Sequence, residues 1–250
     1  MRNGESCEDA LSYLPCSRIA AYRKGDIIYD HHQASGFIYL VIDGKVKISR
    51  IADNGRQVIV DIFQPDEFFG ESAFLGLAER PEQAIAIEDT RLMTWSAADL
   101  EQHILKEPRL GIALLQVTVQ RVLDSIYRIE SFSADSIAQR LARSLIRFSE
   151  RLGEEEQDGV VRMLPFTHET LAQYVGTSRE IVTHWMARLK RDGCIRYSRR
   201  GIMLSPRETA KLDGERPQRR RPARSGIRGV RLRTPGGPAR RPIRSTDFRS

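Results

Sequence analysis

Short apolar runs broken by turn residues occupy the chain from Arg23 to about Trp95. "FIYLV" (37–41) and "KVKIS" (45–49) flank Asp43-Gly44, Asp53-Asn54-Gly55 precedes "QVIVDIF" (57–63), and "IAIEDTRLMTW" (85–95) adds further strand-forming stretches. Asp-Gly between two such runs predicts a hairpin, and closely spaced antiparallel strands with tight turns predict a small barrel or roll. The period then changes. After Pro108, the residues Ile112, Leu115, Val119, Val122, Ile126 and Ile129 follow one another at spacings of 3, 4, 3, 4 and 3. That is the seam of a coiled coil, and it predicts a long helix that pairs with a second copy. Leu110, Leu114, Val117 and Leu123 lie off the seam and predict a second face packed on the roll. A single amphipathic core helix in a monomer is the competing reading of the same pattern.

A further helix is expected from about Ser136 to Leu152, ending at Gly153 and the acidic "EEEQD" stretch. Pro165 then opens a compact basic module, "FTHETLAQYVGTSREIVTHWMARLKRDGCIRYSRRGIMLSP" (166–206). Thr167 can cap a short helix with Leu171, Ala172 and Val175 on one face, and Gly176 allows a sharp turn. Ser178 can cap a second helix whose buried face is Ile181, Val182, Trp185, Met186 and Leu189, with Asp192-Gly193 as its stop. "CIRYS" and "GIMLS", joined through Arg199, Arg200 and Gly201, complete a basic wing. The order helix, glycine turn, helix, two strands is a winged helix-turn-helix. Such a module points the first turn of its second helix into the DNA major groove. Arg179 can donate two hydrogen bonds to guanine and Glu180 can accept from a cytosine amino group. Thr167, Thr177, Ser178, Arg199 and Arg200 suit phosphate contacts, which position without specifying. A merely solvated first turn is the plain alternative for Arg179 and Glu180.

Charge alters this picture only for the tail. The formal net charge is +7, but residues 214–250 hold 12 Arg against Glu215 and Asp247, a net of +10, which leaves residues 1–213 at −3. The tail's Arg, Pro and Gly composition predicts disorder. It can add nonspecific DNA affinity, contact another partner such as RNA, or be silent. No apolar run approaches the roughly 20 residues a membrane span requires, and no charged-then-apolar leader pattern is present, so a cytoplasmic protein with no membrane partner is expected. Cys7, Cys16 and Cys194 are far apart and read as reduced thiols rather than a disulfide framework.

These features together resemble the cyclic-AMP receptor protein and fumarate-nitrate regulator family of bacterial transcription factors. The resemblance covers about residues 15–206 and rests on "KGDIIY" (24–29), "FIYLVIDGKVKI" (37–48), "FFGESAFLG" (68–76), the long helix and "VGTSREIVTHWMARLKRDG" (175–193). It implies an α+β chain. Residues 1–107 would form an antiparallel, cyclic-nucleotide-binding-like β-roll sensor, 108–134 a dimerisation helix, 135–213 a winged helix-turn-helix and 214–250 a disordered tail. It implies a homodimer on a two-fold symmetric double-stranded operator, with RNA polymerase as a further partner if the output is activation. Members like the cyclic-AMP receptor carry Ser-Arg-Glu and an arginine four residues after the glutamate. Ser178, Arg179 and Glu180 match, and His184 stands at the arginine's place as a third base reader.

The resemblance also frames the sensor. Cyclic-AMP binders of the family cradle the phosphate with a Gly-Glu segment and an Arg-Ser pair about a dozen residues on. Gly70, Glu71 and Ser72 match the first part, whereas Glu82 and Gln83 occupy the second. Arg80 reaches that place only if its loop shifts by two residues. Ser125 matches a hydroxyl that touches adenine. A carboxylate facing a phosphodiester is repulsive, so the expected effector is something other than cyclic AMP, a cyclic-AMP-responsive regulator being the alternative. An iron–sulfur cluster takes four cysteine ligands, which one subunit does not bring together, and no cofactor is required. A metal-dependent β-roll enzyme is the competing class, because "GDIIYDHHQASG" (25–36) offers His31 and His32. Adjacent strand residues point to opposite faces and no Glu follows within five residues, so surface histidines fit better and no catalysis is expected.

Overall fold

A computed structural model of the chain describes residues 10–31, 33–156, 160–163, 165–198 and 201–204. Its first eight strands are β1 (Arg18–Tyr22), β2 (Ile27–Tyr29), β3 (Phe37–Asp43), β4 (Val46–Ile51), β5 (Gln57–Phe63), β6 (Phe68–Phe69), β7 (Gln83–Ala86) and β8 (Thr90–Ser96). They form two four-stranded sheets, in the orders β1-β8-β3-β6 and β2-β7-β4-β5, with every pairing antiparallel. The expected roll is present. Strand β3 explains why its sequence reads as an unbroken apolar run. Tyr39 and Val41 face the other sheet among Tyr29, Ile48, Phe69 and Leu92, while Ile38 and Leu40 face Trp95, Leu100 and Leu110 on the opposite side. A strand covered on both faces loses the polar alternation of a half-buried one.

One turn differs from expectation. Asp43-Gly44 does not close a hairpin, because β3 pairs with β6 and β8 while β4 pairs with β5 and β7. The dipeptide is a corner at which the chain passes from one sheet to the other. Gly44 has φ of 86° and lies so close to the chain at Asp89 that an added Cβ would sit 2.5 Å from the Asp89 carbonyl oxygen. Only glycine meets both demands there. The second turn behaves as expected: β4 and β5 form a hairpin around Asp53-Asn54-Gly55, with an irregularity between Ile48 and Ser49.

Helix α1 (Ala97–Lys106), absent from the sequence reading, is capped by the Ser96 hydroxyl, which accepts from the Asp99 amide. Helix α2 (Pro108–Ala134) follows, with Pro108 in its first turn, where a missing N–H costs nothing. Its early residues Leu110 and Ala113 are fully buried against the roll, and Leu114 packs beside them. Leu123, expected on that packed face, is instead 42% exposed. Past Leu114 the helix is held by arginines rather than by apolar cover. Helix α3 (Ile137–Leu152) begins at a capping box in which Ser136 and Gln139 satisfy each other's backbone N–H groups.

Two short strands missed in the sequence, β9 (Glu154–Glu155) and β10 (Val161–Met163), join the wing strands β11 (Ile195–Ser198) and β12 (Gly201–Leu204) in a sheet ordered β11-β12-β10-β9. Between them lie α4 (His168–Val175) and α5 (Arg179–Arg191). The core of this module joins Leu141, Leu145 and Phe148 of α3 to Leu171, Val175, Val182, Met186, Ile195 and Leu204. It also takes in Ile59 and Ile62, which belong to β5 of the roll. No helix among the described residues is long and apolar enough to cross a membrane.

Candidate nucleic-acid interface and effector pocket

The helix–turn–helix is set by its caps. The Thr167 hydroxyl accepts from the Thr170 amide, and Gly176, at φ of 75°, ends α4 in the left-handed conformation. The Ser178 hydroxyl accepts from the Ile181 amide at 3.4 Å and opens α5. Val182, Met186 and Leu189 are buried, Glu180 and His184 fall on the far side of the helix from them, and Arg179 and Thr183 lie nearer the stripe; all four are exposed. Burial along α5 departs from expectation at two places. Ile181, expected in the core, is 38% exposed, because it sits one position off the Val182–Met186–Leu189 stripe. Thr177, expected to be an exposed polar residue of the first turn, is 8% exposed. Its amide donates to the Ala172 carbonyl in the glycine turn, which draws the residue inward.

The exposed end is electrostatically prepared. Hydrogen bonds from its own amide and the Ser178 hydroxyl hold the Glu180 carboxyl below its ordinary value, so it stands ionised as an acceptor. Thr183, which the sequence reading does not single out, donates to the Arg179 carbonyl and meets His168 Nδ1 at 2.8 Å. That contact ties the start of α4 to the second turn of α5. Burial, aided by the Arg179 charge, lowers the His168 pKa. Spacing alone could have shown Thr183, since it lies one turn beyond Arg179. Arg199 and Arg200 lie outside the described residues, as do Cys7, His32 and the 214–250 tail.

The roll interior holds a second group of polar residues. Gly70, at φ of 85°, turns so tightly that an added Cβ would meet the Phe37 carbonyl at 2.9 Å. Arg80 is buried there. Its guanidinium lies 3.9 Å over the Tyr29 ring and donates through Nη2 to the Phe37 carbonyl. Its Nη1 atom, buried beside Gly70, has no hydrogen-bond partner among the described residues. Cation–aromatic attraction is what draws Arg80 inward, a long-range effect that local alignment does not reveal. Tyr29, Tyr39 and Phe69 fill the space around it, with ring centroids 5.0 to 6.1 Å apart.

Glu82 also points inward and accepts from the Tyr29 hydroxyl at 3.1 Å, whereas Gln83 donates to Asp30. Ser72 shares a hydrogen bond with Ser35 at 3.1 Å. Glu71 is paired at 3.0 Å with Arg121 of α2, whose guanidinium also reaches the Phe68 carbonyl and lies over the Phe63 ring. Arg121 therefore spans the mouth of the roll. A cavity of about 120 Å³ lies there, lined in part by Val60, Glu71, Arg121, Asp124, Ser125 and Arg128. The structure thus brings Glu71 and Ser125 to one cavity and sets Gly70 and Glu82 deeper, around Arg80. No cluster of metal-ligating side chains occurs among the described residues.

A β-roll joined by a long helix to a winged helix-turn-helix defines a type of DNA-binding regulator. Two family models match the chain: the cyclic nucleotide-binding domain over residues 19–107 and the Crp-like helix-turn-helix domain over residues 139–209. The transcriptional regulator SdrP of Thermus thermophilus is 33% identical over 166 residues, 66% of this chain and 78% of its own. The CRP-like cAMP-activated global transcriptional regulator of Mycobacterium tuberculosis is 27% identical over 187 residues, 75% of this chain and 84% of its own. A solved CRP/FNR-family transcriptional regulator from Thermus thermophilus superposes with a TM-score of 0.63 at 28% identity, covering 80% of this chain and all of that one. The chain belongs to the Crp/Fnr family of transcriptional regulators; it is a DNA-binding regulator and not an enzyme.

Burial holds the Glu82 carboxyl above the ordinary carboxylate range, while the Tyr29 hydrogen bond opposes the shift. Between the unfolded and folded values the folded state binds more protons, so this group lowers stability as pH rises through that window. Glu82→Gln keeps an acceptor for Tyr29 and abolishes the titration. Thermal unfolding should therefore show the variant above wild type at pH 7, with the gap narrowing toward about pH 4, near the unfolded glutamate value. A gap independent of pH would show that Glu82 does not titrate with folding.

Proposed function

We propose that the chain acts in the cytoplasm as a homodimer on a two-fold symmetric operator, modulated by an effector other than cyclic AMP. The observation that carries this reading is the exposed Arg179–Glu180 pair at the start of α5, Arg179 beside the N-terminal end of the Val182–Met186–Leu189 stripe and Glu180 on the far side from it. Arg179 reads guanine through two hydrogen bonds, Glu180 accepts from a cytosine amino group, and His184 reaches a neighbouring base one turn on. Each good bidentate contact discriminates by about 1–3 kcal/mol. Thr167, Ser178 and the wing pair Arg199 and Arg200 serve as phosphate contacts. The buried Thr177 side chain is left out of that set.

Pairing of two chains rests on the α2 seam. Ile112, Leu115, Val119, Val122, Ile126 and Ile129 are each between 50 and 63% exposed in the single chain. A continuous aliphatic stripe of this kind is rare on monomers, and facing helices cover it in a coiled coil. The division into a sensor (1–107), a dimerisation helix (108–134) and a DNA-binding module (135–213) follows from the same reading. RNA polymerase is a further partner if the output is activation.

The effector reading rests on Glu82. A cyclic phosphodiester entering beside Gly70 would meet that inward carboxylate, which stands close enough to offset the attraction of the Arg80 Nη1 beside it. Whatever binds acts only by favouring one arrangement of roll and DNA-binding modules over another.

Selection of bound sequences from random DNA tests the readout. Wild type should yield a two-fold symmetric site with guanine at fixed positions, and Arg179→Ala should lose that guanine while keeping affinity for arbitrary duplexes. A uniform loss on all sequences would remove Arg179 from base readout. The assembly is tested by sedimentation velocity at micromolar concentration. Wild type should be a dimer, and Val122→Asp, which places paired carboxylates in the seam, a monomer; a monomeric wild type would refute the pairing.

A further inference from the structure

The turn between α4 and α5 fixes where the base-reading residues point, and it is held from outside its own module. The Tyr174 carbonyl, in the last turn of α4, accepts from Arg128 of α2 at 2.8 Å. Such carbonyls have no partner within their own helix and attract cations. The same guanidinium donates to two carbonyls of the roll strand β5, Ile59 at 2.7 Å and Val60 at 2.5 Å, and lies 4.0 Å over the Tyr174 ring. Three residues on, the Thr177 carbonyl accepts from Arg56, which follows the β4–β5 turn, at 3.1 Å. One guanidinium therefore joins three elements, and a second arginine of the roll holds the residue just before the cap of α5.

We propose that Arg128 and Arg56 are positioning residues for DNA recognition, fixing the α4–α5 turn to strand β5 so that operator discrimination depends on the roll. This rests on the reading of α5 as the base-reading helix and adds how that helix is aimed. The planar fork of Arg128 suits the task, since it offers several fixed donors to carbonyls while its face stacks on a ring. A lysine offers neither the fork nor the stack. Strand β5 is well placed as the anchor because it is an edge strand, bonded among the described strands to β4 alone, and its Ile59 and Ile62 already lie in the core of the DNA-binding module.

The test uses full-length protein and the duplex selected by wild type, with a scrambled duplex beside it, over a range of salt. Arg128→Met is expected to lower the preference for the selected duplex about tenfold, the scale of lost hydrogen bonds to a charged group. Arg56→Ala should lower it about threefold, in line with one part-buried hydrogen bond. In both variants affinity for scrambled DNA and the slope of log affinity against log salt should be unchanged, because no phosphate contact is removed. Arg128→Lys should restore only part of the preference.

A salt slope smaller by about 0.9 would instead make the arginine a direct phosphate contact and overturn its positioning role. Unchanged preference in a folded Arg128→Met would overturn the proposal. Should that variant not fold, Arg56→Ala decides: unchanged preference there overturns the proposal too. A wild type that selects no sequence would overturn both the functional reading and this inference, whereas a wild type that selects one, beside variants that keep its preference, overturns the inference alone.

Discussion

Strand β5 serves two cores at once, and the arrangement of the molecule depends on that double role. Phe63 packs inside the roll, whereas Ile59 and Ile62 of the same strand are fully buried with Phe148, Leu171 and Val175 of the DNA-binding module. Full burial of one such aliphatic side chain is worth about 1.5–3 kcal/mol. Two of them are a large part of a junction that would otherwise be a hinge. The roll and the DNA-binding module are therefore neighbours within a continuous packed region rather than beads on a linker.

Polar groups around that junction give the packing its direction. Arg151 of α3 pairs with Asp61 at 2.8 Å and with Glu67 at 3.1 Å, and donates to the Ile62 carbonyl. Arg147 pairs with Asp124 of α2 at 3.2 Å. Partly buried pairs of this kind add little net stability compared with apolar packing, but losing one partner strands the other charge, which strongly disfavours alternative dockings. Apolar contacts thus supply the adhesion, and the arginine pairs fix the relative placement. The cavity at the mouth of the roll is lined by Arg121 and Arg128 from one stretch of α2, with Val60 of β5 opposite. Any ligand settling there touches the groups that fix the placement.

Much of this is legible along the chain because it is local. Caps at Thr167 and Ser178, the sharp turn at Gly176 and the 3-4 spacing on α2 each depend on residues a few positions apart. The apolar face of α5 follows the sequence pattern at Val182, Met186 and Leu189 and departs from it at Ile181, where one position of helical phase decides between core and surface. What the sequence conceals is long-range. Asp43-Gly44 has the composition of a hairpin turn, and only the pairing of β3 with β8, far along the chain, makes it a corner. Arg80 falls out of register with the family pattern, but the Tyr29 ring holds it inside the roll. The contribution of β5 to the DNA-binding core cannot be read from alternation, because both sides of the strand carry apolar residues.

The central claim is that a paired α2 and modules braced on β5 present two α5 helices at a fixed spacing. Hydroxyl-radical footprinting of the full-length protein on its selected duplex tests it most directly. Two protected windows on one side of the duplex are predicted, with centres about 34–36 Å or a multiple apart, saturating at two chains per duplex. A single window saturating at one chain per duplex would contradict it.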